Sequence, residues 1–150
     1  MQRSDDKTSQ TGQTGHDEHA QPGRLVVIGE DECWDLARTR PVGRLAWQGA
    51  QGVSVIPVNF AIEDREVLLR TTPYSLMARD CVDREVAFEI DMLDEHDHSG
   101  WSVLLRGRCQ RSERLPAGGA PWATGPRVLA LRMEVHTVTG RRLVPAASGA

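Results

Sequence analysis

Apolar and polar positions change period several times along this chain, and each change marks an element. From Glu30 to Arg40 the apolar residues Cys33, Trp34, Leu36 and Ala37 recur at helical spacing between charges, and Pro41 stops the run. Val42–Trp47 reads as a strand, and Gln48-Gly49-Ala50-Gln51-Gly52 as a turn. Val53 to Ile62 sets Val53, Val55 and Pro57 against Ser54, Ile56, Val58 and Phe60, the period of a strand with two different faces. Glu63-Asp64-Arg65 is a polar turn and Glu66–Thr71 a further strand, so these three strands form a meander.

Thr72–Cys81 predicts a short helix, with Thr72 as N-cap and Pro73 in the first helical position. Strand returns at Glu85–Asp91, where Val86, Phe88 and Ile90 share a face. Met92–Gly100 is acidic and reads as a loop, and Trp101–Cys109 and Arg127–Val138 read as two long strands. Between those strands, Arg111 to Pro126 carries loop chemistry in its prolines and glycines. At least six strands and two short helices predict a mainly β fold, a small antiparallel barrel with helical plugs.

Residues 1–24 lack Val, Ile, Leu, Phe, Trp and Tyr, so they are expected to form a disordered polar tail. One domain over residues 25–144 and a flexible end at 145–150 complete the expected organisation. The formal net charge of -3 gives no field for nucleic-acid binding. No apolar run approaches the ~18 residues of a membrane span. The three cysteines show no CxxC spacing, and the N-terminus has no apolar secretory core, so a reduced, cytoplasmic protein is expected. Lys7, in the tail, is the one lysine, which excludes Schiff-base and P-loop chemistry within the domain. GxSxG is absent.

The segment Arg70-Thr71-Thr72-Pro73-Tyr74-Ser75 is the richest in candidate chemistry. A strand ending in hydroxyl residues feeds a helix start, where backbone N–H groups lack internal partners and attract phosphate. Thr71 and Ser75 add hydroxyl donors, and Arg70 and Arg79 add charge. The competing reading is a simple cap flanked by surface arginines. Trp34 and Trp47 lie in regular elements and are expected in the core or an interface. Trp122, in a Pro/Gly-rich loop, is a candidate to close over a ligand or a partner subunit. Asp94, Glu95, His96, Asp97 and His98 are consecutive and do not make a metal site by spacing, so no metal is expected. His136 reads as a structural histidine.

Taken together, Arg40–Leu45, Val55–Phe60, Leu69–Ser75, Val86–Asp91, Gly100–Gly107, Pro121–Ala123 and Thr139–Arg142 resemble the pyridoxamine 5′-phosphate oxidase-like family of FMN-binding split-barrel flavoproteins. The resemblance covers about residues 25–144. It implies a homodimer with two flavin sites between subunits and a small-molecule substrate. It implies FMN phosphate at Arg70, Thr71, Thr72 and Ser75, and backbone around Pro57, Val58 and Asn59 beside the flavin ring. Trp101 and Ser102, with Trp122 and Arg132 from the partner subunit, match positions that line the cleft. Leu76 and Met77 stand where many relatives carry a basic residue after the serine. Nothing reproduces the substrate-binding set of true pyridoxamine phosphate oxidases. Three alternatives stay open: a deazaflavin coenzyme on the same fold, a module holding flavin or haem without turnover (His96, His98 or His136 as axial ligands), and a degenerate dimeric interaction barrel.

Overall fold

The computed structural model describes residues 22–117 and 124–146. Most of the expected tail, Trp122 and residues 147–150 lie outside them. The elements are β1 (Arg24–Ile28), α1 (Glu30–Arg38), β2 (Val42–Gly49), β3 (Gly52–Glu63), β4 (Glu66–Thr71), α2 (Leu76–Cys81), β5 (Arg84–Asp94), β6 (Ser99–Ser112) and β7 (Leu129–Val144). The sheet runs β1-β7-β4-β3-β2-β5-β6, and β6 pairs again with β7. That last pairing closes six strands into a barrel and leaves β1 outside the ring. The mainly β, antiparallel expectation holds. No helix among the described residues is long and apolar enough to cross a membrane.

Two strands change partner along their length, and this gives the barrel its openings. β3 pairs with β2 through Asn59, then with β4 from Phe60 onward. β7 pairs with β4 over Leu129–Glu134 and with β1 over Gly140–Val144, while β6 runs along its other side. The β6–β7 ladder slips once, where Arg106 faces Thr137 and Gly107 faces Val135. His136 is the extra residue of that bulge, which accounts for its place in the strand. Gly107 is required there: a Cβ would lie 1.9 Å from the Glu134 carbonyl oxygen.

Inward side chains of every barrel strand meet in one core that includes Leu45, Val67, Phe88, Ile90, Val103, Leu105, Leu131 and Met133, all 0% exposed. Helix α1 buries Cys33, Trp34 and Ala37, as its spacing predicts. Asp64 and Arg65, both at positive φ, make the two-residue turn between β3 and β4. Arg65 then reaches Glu30 and Asp31 at the start of α1.

Four details depart from the sequence expectations. β1 was not anticipated, because Leu25, Val26 and Val27 are all exposed and show no period, and the strand exists only through pairing with the far end of β7. Helix α2 starts at Leu76 rather than near Thr72, and its N-cap is Ser75, whose Oγ accepts from the Ala78 N–H at 3.0 Å. Thr72 instead opens a turn, its carbonyl accepting from Ser75 N–H at 3.1 Å. Pro73 suits the second position of a turn as well as a helix start, so local sequence did not separate the two. The loop expected over Met92–Gly100 shrinks to a turn between Asp94 and Ser99, held by the Asp94 carboxylate accepting from the N–H groups of His96 and Asp97. β7 runs on past Val138 to Val144, because β6 and β1 supply partners on both sides.

Candidate functional site

A cavity of ≈ 430 Å³ opens where β3 and β4 part. Their pairing ends at Phe60 and Leu69, so the strands splay beyond that point. Ser54, Ile56, Val58 and Phe60, one face of β3, form a wall, and Trp47, paired with Ser54, extends it. Thr71, Ser75, Leu76 and Met77 bring in the end of β4 and the start of α2. Pro116 and Arg127 come from the segment between β6 and β7. Beneath the wall, Phe60 meets Phe88 edge-on with ring centroids 5.0 Å apart.

The lining carries two kinds of group. Trp47, Ile56, Val58, Phe60 and Met77 give it apolar sides. Arg70, Thr71, Ser75 and Arg127 give it polar, cationic groups. No Asp, Glu, His, Cys or Lys is among the described residues that line it. The Arg70 guanidinium donates to the Pro116 carbonyl, which fixes its orientation, while its Nε is buried without an acceptor. Arg127 Nε is also buried without an acceptor among the described residues. Buried donors of this kind normally find partners, and these two belong to residues lining one cavity.

Thr71, 1% exposed, has its Oγ1 2.8 Å from Ser75 Oγ. That contact uses one of the two hydroxyl protons, whichever residue donates. The second remains free for an acceptor in the cavity. Thr71 and Ser75 therefore present one donor as a unit.

The residues singled out from sequence divide into two groups. Pro57, Val58, Asn59, Arg70, Thr71 and Ser75 come together around the cavity. Asn59 also donates through Nδ2 to the Pro41 carbonyl at 3.2 Å, tying β3 to the start of β2. Thr72, Arg79, Trp101, Ser102 and Arg132 are not among its lining residues. Arg79 turns to the Asp80 carboxylate, Nε–Oδ1 2.8 Å, and holds that carboxyl below its ordinary range with help from the Trp47 indole. The indole N–H points toward Asp80 without closing a well-aligned hydrogen bond. Arg132 binds Glu66 at 2.6 Å and Gln110 at 2.7 Å, while Trp101 is buried in the core. Trp122 lies outside the described residues.

Sequence reasoning missed Trp47, Pro116 and Arg127. For Trp47 a signal existed, since it shares the inward face of β2 with Leu45 and falls opposite Ser54. For Arg127 there was none, because its place depends on how a long Pro/Gly-rich segment returns to the barrel. His96 and His98 sit in or beside the β5–β6 turn, and His136 lies near Glu85 and Glu134. None of these histidines lines the cavity. No cluster of metal-ligating side chains occurs among the described residues.

Burial also shapes the cysteines. All three are free and buried. Desolvation, with smaller contributions from neighbouring charges, pushes the Cys81 thiol up to about 12 and Cys109 to about 11. They are inert as nucleophiles near neutral pH.

Comparison with known proteins supplies the context for this geometry. An uncharacterised protein of Mycobacterium tuberculosis is 29% identical over 134 residues, covering 80% of this chain and 86% of that protein. The structure of an FAD-binding protein from Mycobacterium smegmatis aligns with TM-score 0.65 and 26% identity, over 79% of this chain and 98% of that one. An FAD-binding protein from Mesorhizobium loti shares the fold with TM-score 0.64 at 20% identity, over 81% of this chain and 98% of the other. Residues 29–142, which hold α1 and every barrel strand nearly to the end of β7, match the family described as pyridoxamine 5′-phosphate oxidase, and the chain belongs to that family.

Proposed function

We propose that the chain binds a phosphorylated flavin, FMN in our reading, in the cavity between β3, β4 and α2, and acts as a flavin-dependent oxidoreductase on a small molecule. The observation that carries this reading is one cavity with a mixed lining: apolar walls suited to a planar ring, and buried unpaired guanidinium N–H groups suited to phosphate. The FAD-binding relative from Mycobacterium smegmatis supports a flavin and makes FAD the competitor to FMN.

Each group has a defined task in this reading. Trp47, Ile56, Val58 and Phe60 exclude water from one side of the ligand, and Met77 fills the space near α2. Arg70, oriented by the Pro116 carbonyl, and the Thr71–Ser75 unit hold the phosphate. A bound flavin would supply the electron or hydride transfer, and the protein would supply position and a dry environment. None of the described lining side chains is suited to general acid or base work, and the reading gives the redox step to a cofactor.

The same reading includes a homodimer. On the face of β3 opposite the cavity wall, Val53 and Val55 are 73% and 59% exposed. Tyr74, Leu76, Leu115 and Val128, each at or beside a lining residue in the chain, are exposed as well. Apolar surface exposed on this face of β3 and beside the cavity suits cover by a second subunit. Free buried thiols suit the reducing cytoplasm.

Titration of the purified full chain with FMN, followed by flavin absorbance and Trp fluorescence, tests the cofactor. Saturable binding that quenches Trp fluorescence and is weakened by Thr71→Ala with Ser75→Ala is the expected result. A chain that takes up neither FMN nor FAD would sink the reading. Sedimentation of Val55→Glu tests the assembly, with the expected outcome a shift from dimer to monomer.

A further inference from the structure

Trp47 is buried and walls the cavity, yet its indole N–H has no well-aligned acceptor among the described residues. The polar group beside it is the Asp80 carboxylate. Trp47 and Gly49 stand two residues apart on β2 and so share a face. At Gly49 a Cβ would lie 2.9 Å from Asp80 Oδ2 and 3.5 Å from Trp47 Nε1, so the missing side chain leaves room for carboxylate and indole to approach. Asp80 follows Met77 by three residues on α2, which sets both on one side of the helix, and Met77 lines the same cavity. Arg79 fixes the carboxylate, Nε–Oδ1 2.8 Å, and the indole and the charge of Arg84 at the start of β5 favour its ionised form as well.

We propose that Asp80 is a positioning residue: its carboxylate anchors the Trp47 indole N–H and so sets how the ring walls the ligand cavity. This rests on the flavin reading and deepens it, since Asp80 does not itself line the cavity and acts through Trp47. An ionised acceptor attracts an N–H dipole even where alignment is imperfect, and a buried indole N–H left with no acceptor nearby is costly. Without the anchor, the ring loses what selects one of its side-chain rotamers over the others. Helix α2 then serves the cavity twice, through Met77 in the lining and through Asp80 behind the wall.

The test joins a binding cycle to the resonance of the indole N–H. Asp80→Asn and Asp80→Leu, each alone and with Trp47→Phe, are titrated with FMN and FAD by calorimetry, and thermal unfolding checks each fold. Asp80→Leu should weaken flavin binding on the order of tenfold, and Asp80→Asn, which keeps an acceptor oxygen, by less. Asp80→Asn carries both comparisons if the Leu variant does not fold. In the Trp47→Phe background, where no N–H remains, either Asp80 substitution should cost nothing further. An undiminished loss in that background overturns the proposal, because Asp80 would then act by another route. NMR reads the anchor directly: the Trp47 indole N–H resonance, assigned by its disappearance in Trp47→Phe, should move in Asp80→Asn. An unmoved resonance overturns the proposal and leaves the flavin reading standing. A resonance that moves, in a chain that binds neither FMN nor FAD, supports the anchor while the flavin reading falls.

Discussion

The barrel has a closed half and an open half, and different strand pairs build them. Along β6 and β7 the ladder runs from Gly100 opposite Leu143 to Ser112 opposite Ala130, broken only by the bulge at His136. There the backbone satisfies its own polar groups, and the inward side chains Val103, Leu105, Leu131 and Met133 are fully buried. Between β3 and β4 the ladder stops after Phe60–Leu69, and side chains take over: Thr71 bonds Ser75, Arg70 bonds the Pro116 carbonyl, and Ser75 caps α2. Where pairing is continuous the chain is committed to its own stability. Where pairing ends early, polar groups and space are left for a ligand.

Substitutions can break that contrast. The largest effect is expected in the closed half at Gly107, where a Cβ would meet Glu134 backbone at 1.9 Å. Gly107→Ala should destabilise the protein by more than about 3 kcal/mol, because backbone on both sides of the bulge must shift. Urea denaturation would measure it, and a loss below about 0.5 kcal/mol, the ordinary range of a surface change, would show that the bulge is soft.

A smaller, paired effect is expected at the edge of the open half. Ser75→Ala removes the cap of α2 and should cost about 1 kcal/mol. Thr72→Ala, at a residue whose structural contribution is its backbone carbonyl, should cost little. Equal losses at the two positions in chemical denaturation would return the helix start to Thr72, as the sequence alone suggests.

The last effect appears only at alkaline pH. Burial raises the Cys81 and Cys109 thiols to about 12 and about 11, so the folded protein keeps protons that the unfolded chain begins to release near pH 9. The stability tied to these thiols is therefore full below pH 9 and is lost as pH rises through 11 to 12. Tm should decline above pH 9, and Cys81→Ala should flatten that decline relative to wild type. An identical pH profile in the variant would assign the decline to other groups.

These regions also differ in how much of them the sequence discloses. The β3–β4 turn was legible because a two-residue polar turn between alternating strands obeys a local rule. Helix α1 was legible because its buried face follows its own period. The start of α2 was not, since Pro73 serves a turn or a helix equally and only the Ser75–Ala78 bond decides. β1 was not either, since an exposed strand has no buried face to leave a pattern.

In the cavity the division is sharper. The alternation in β3 and the hydroxyl-rich end of β4 already place Val58, Asn59, Arg70, Thr71 and Ser75 near candidate chemistry, because those features sit within one or two elements. The convergence of Trp47, Pro116 and Arg127 on the same space could not be read locally. The sequence by itself determined the mainly β class, the order of the barrel strands along the chain and the polar segment at the end of β4, each of which follows from short-range period and turn chemistry. Only the tertiary structure decided where β3 and β7 change partners, and with that where the barrel opens. It also decided that Arg127 lines the same cavity as Arg70, which no local pattern discloses.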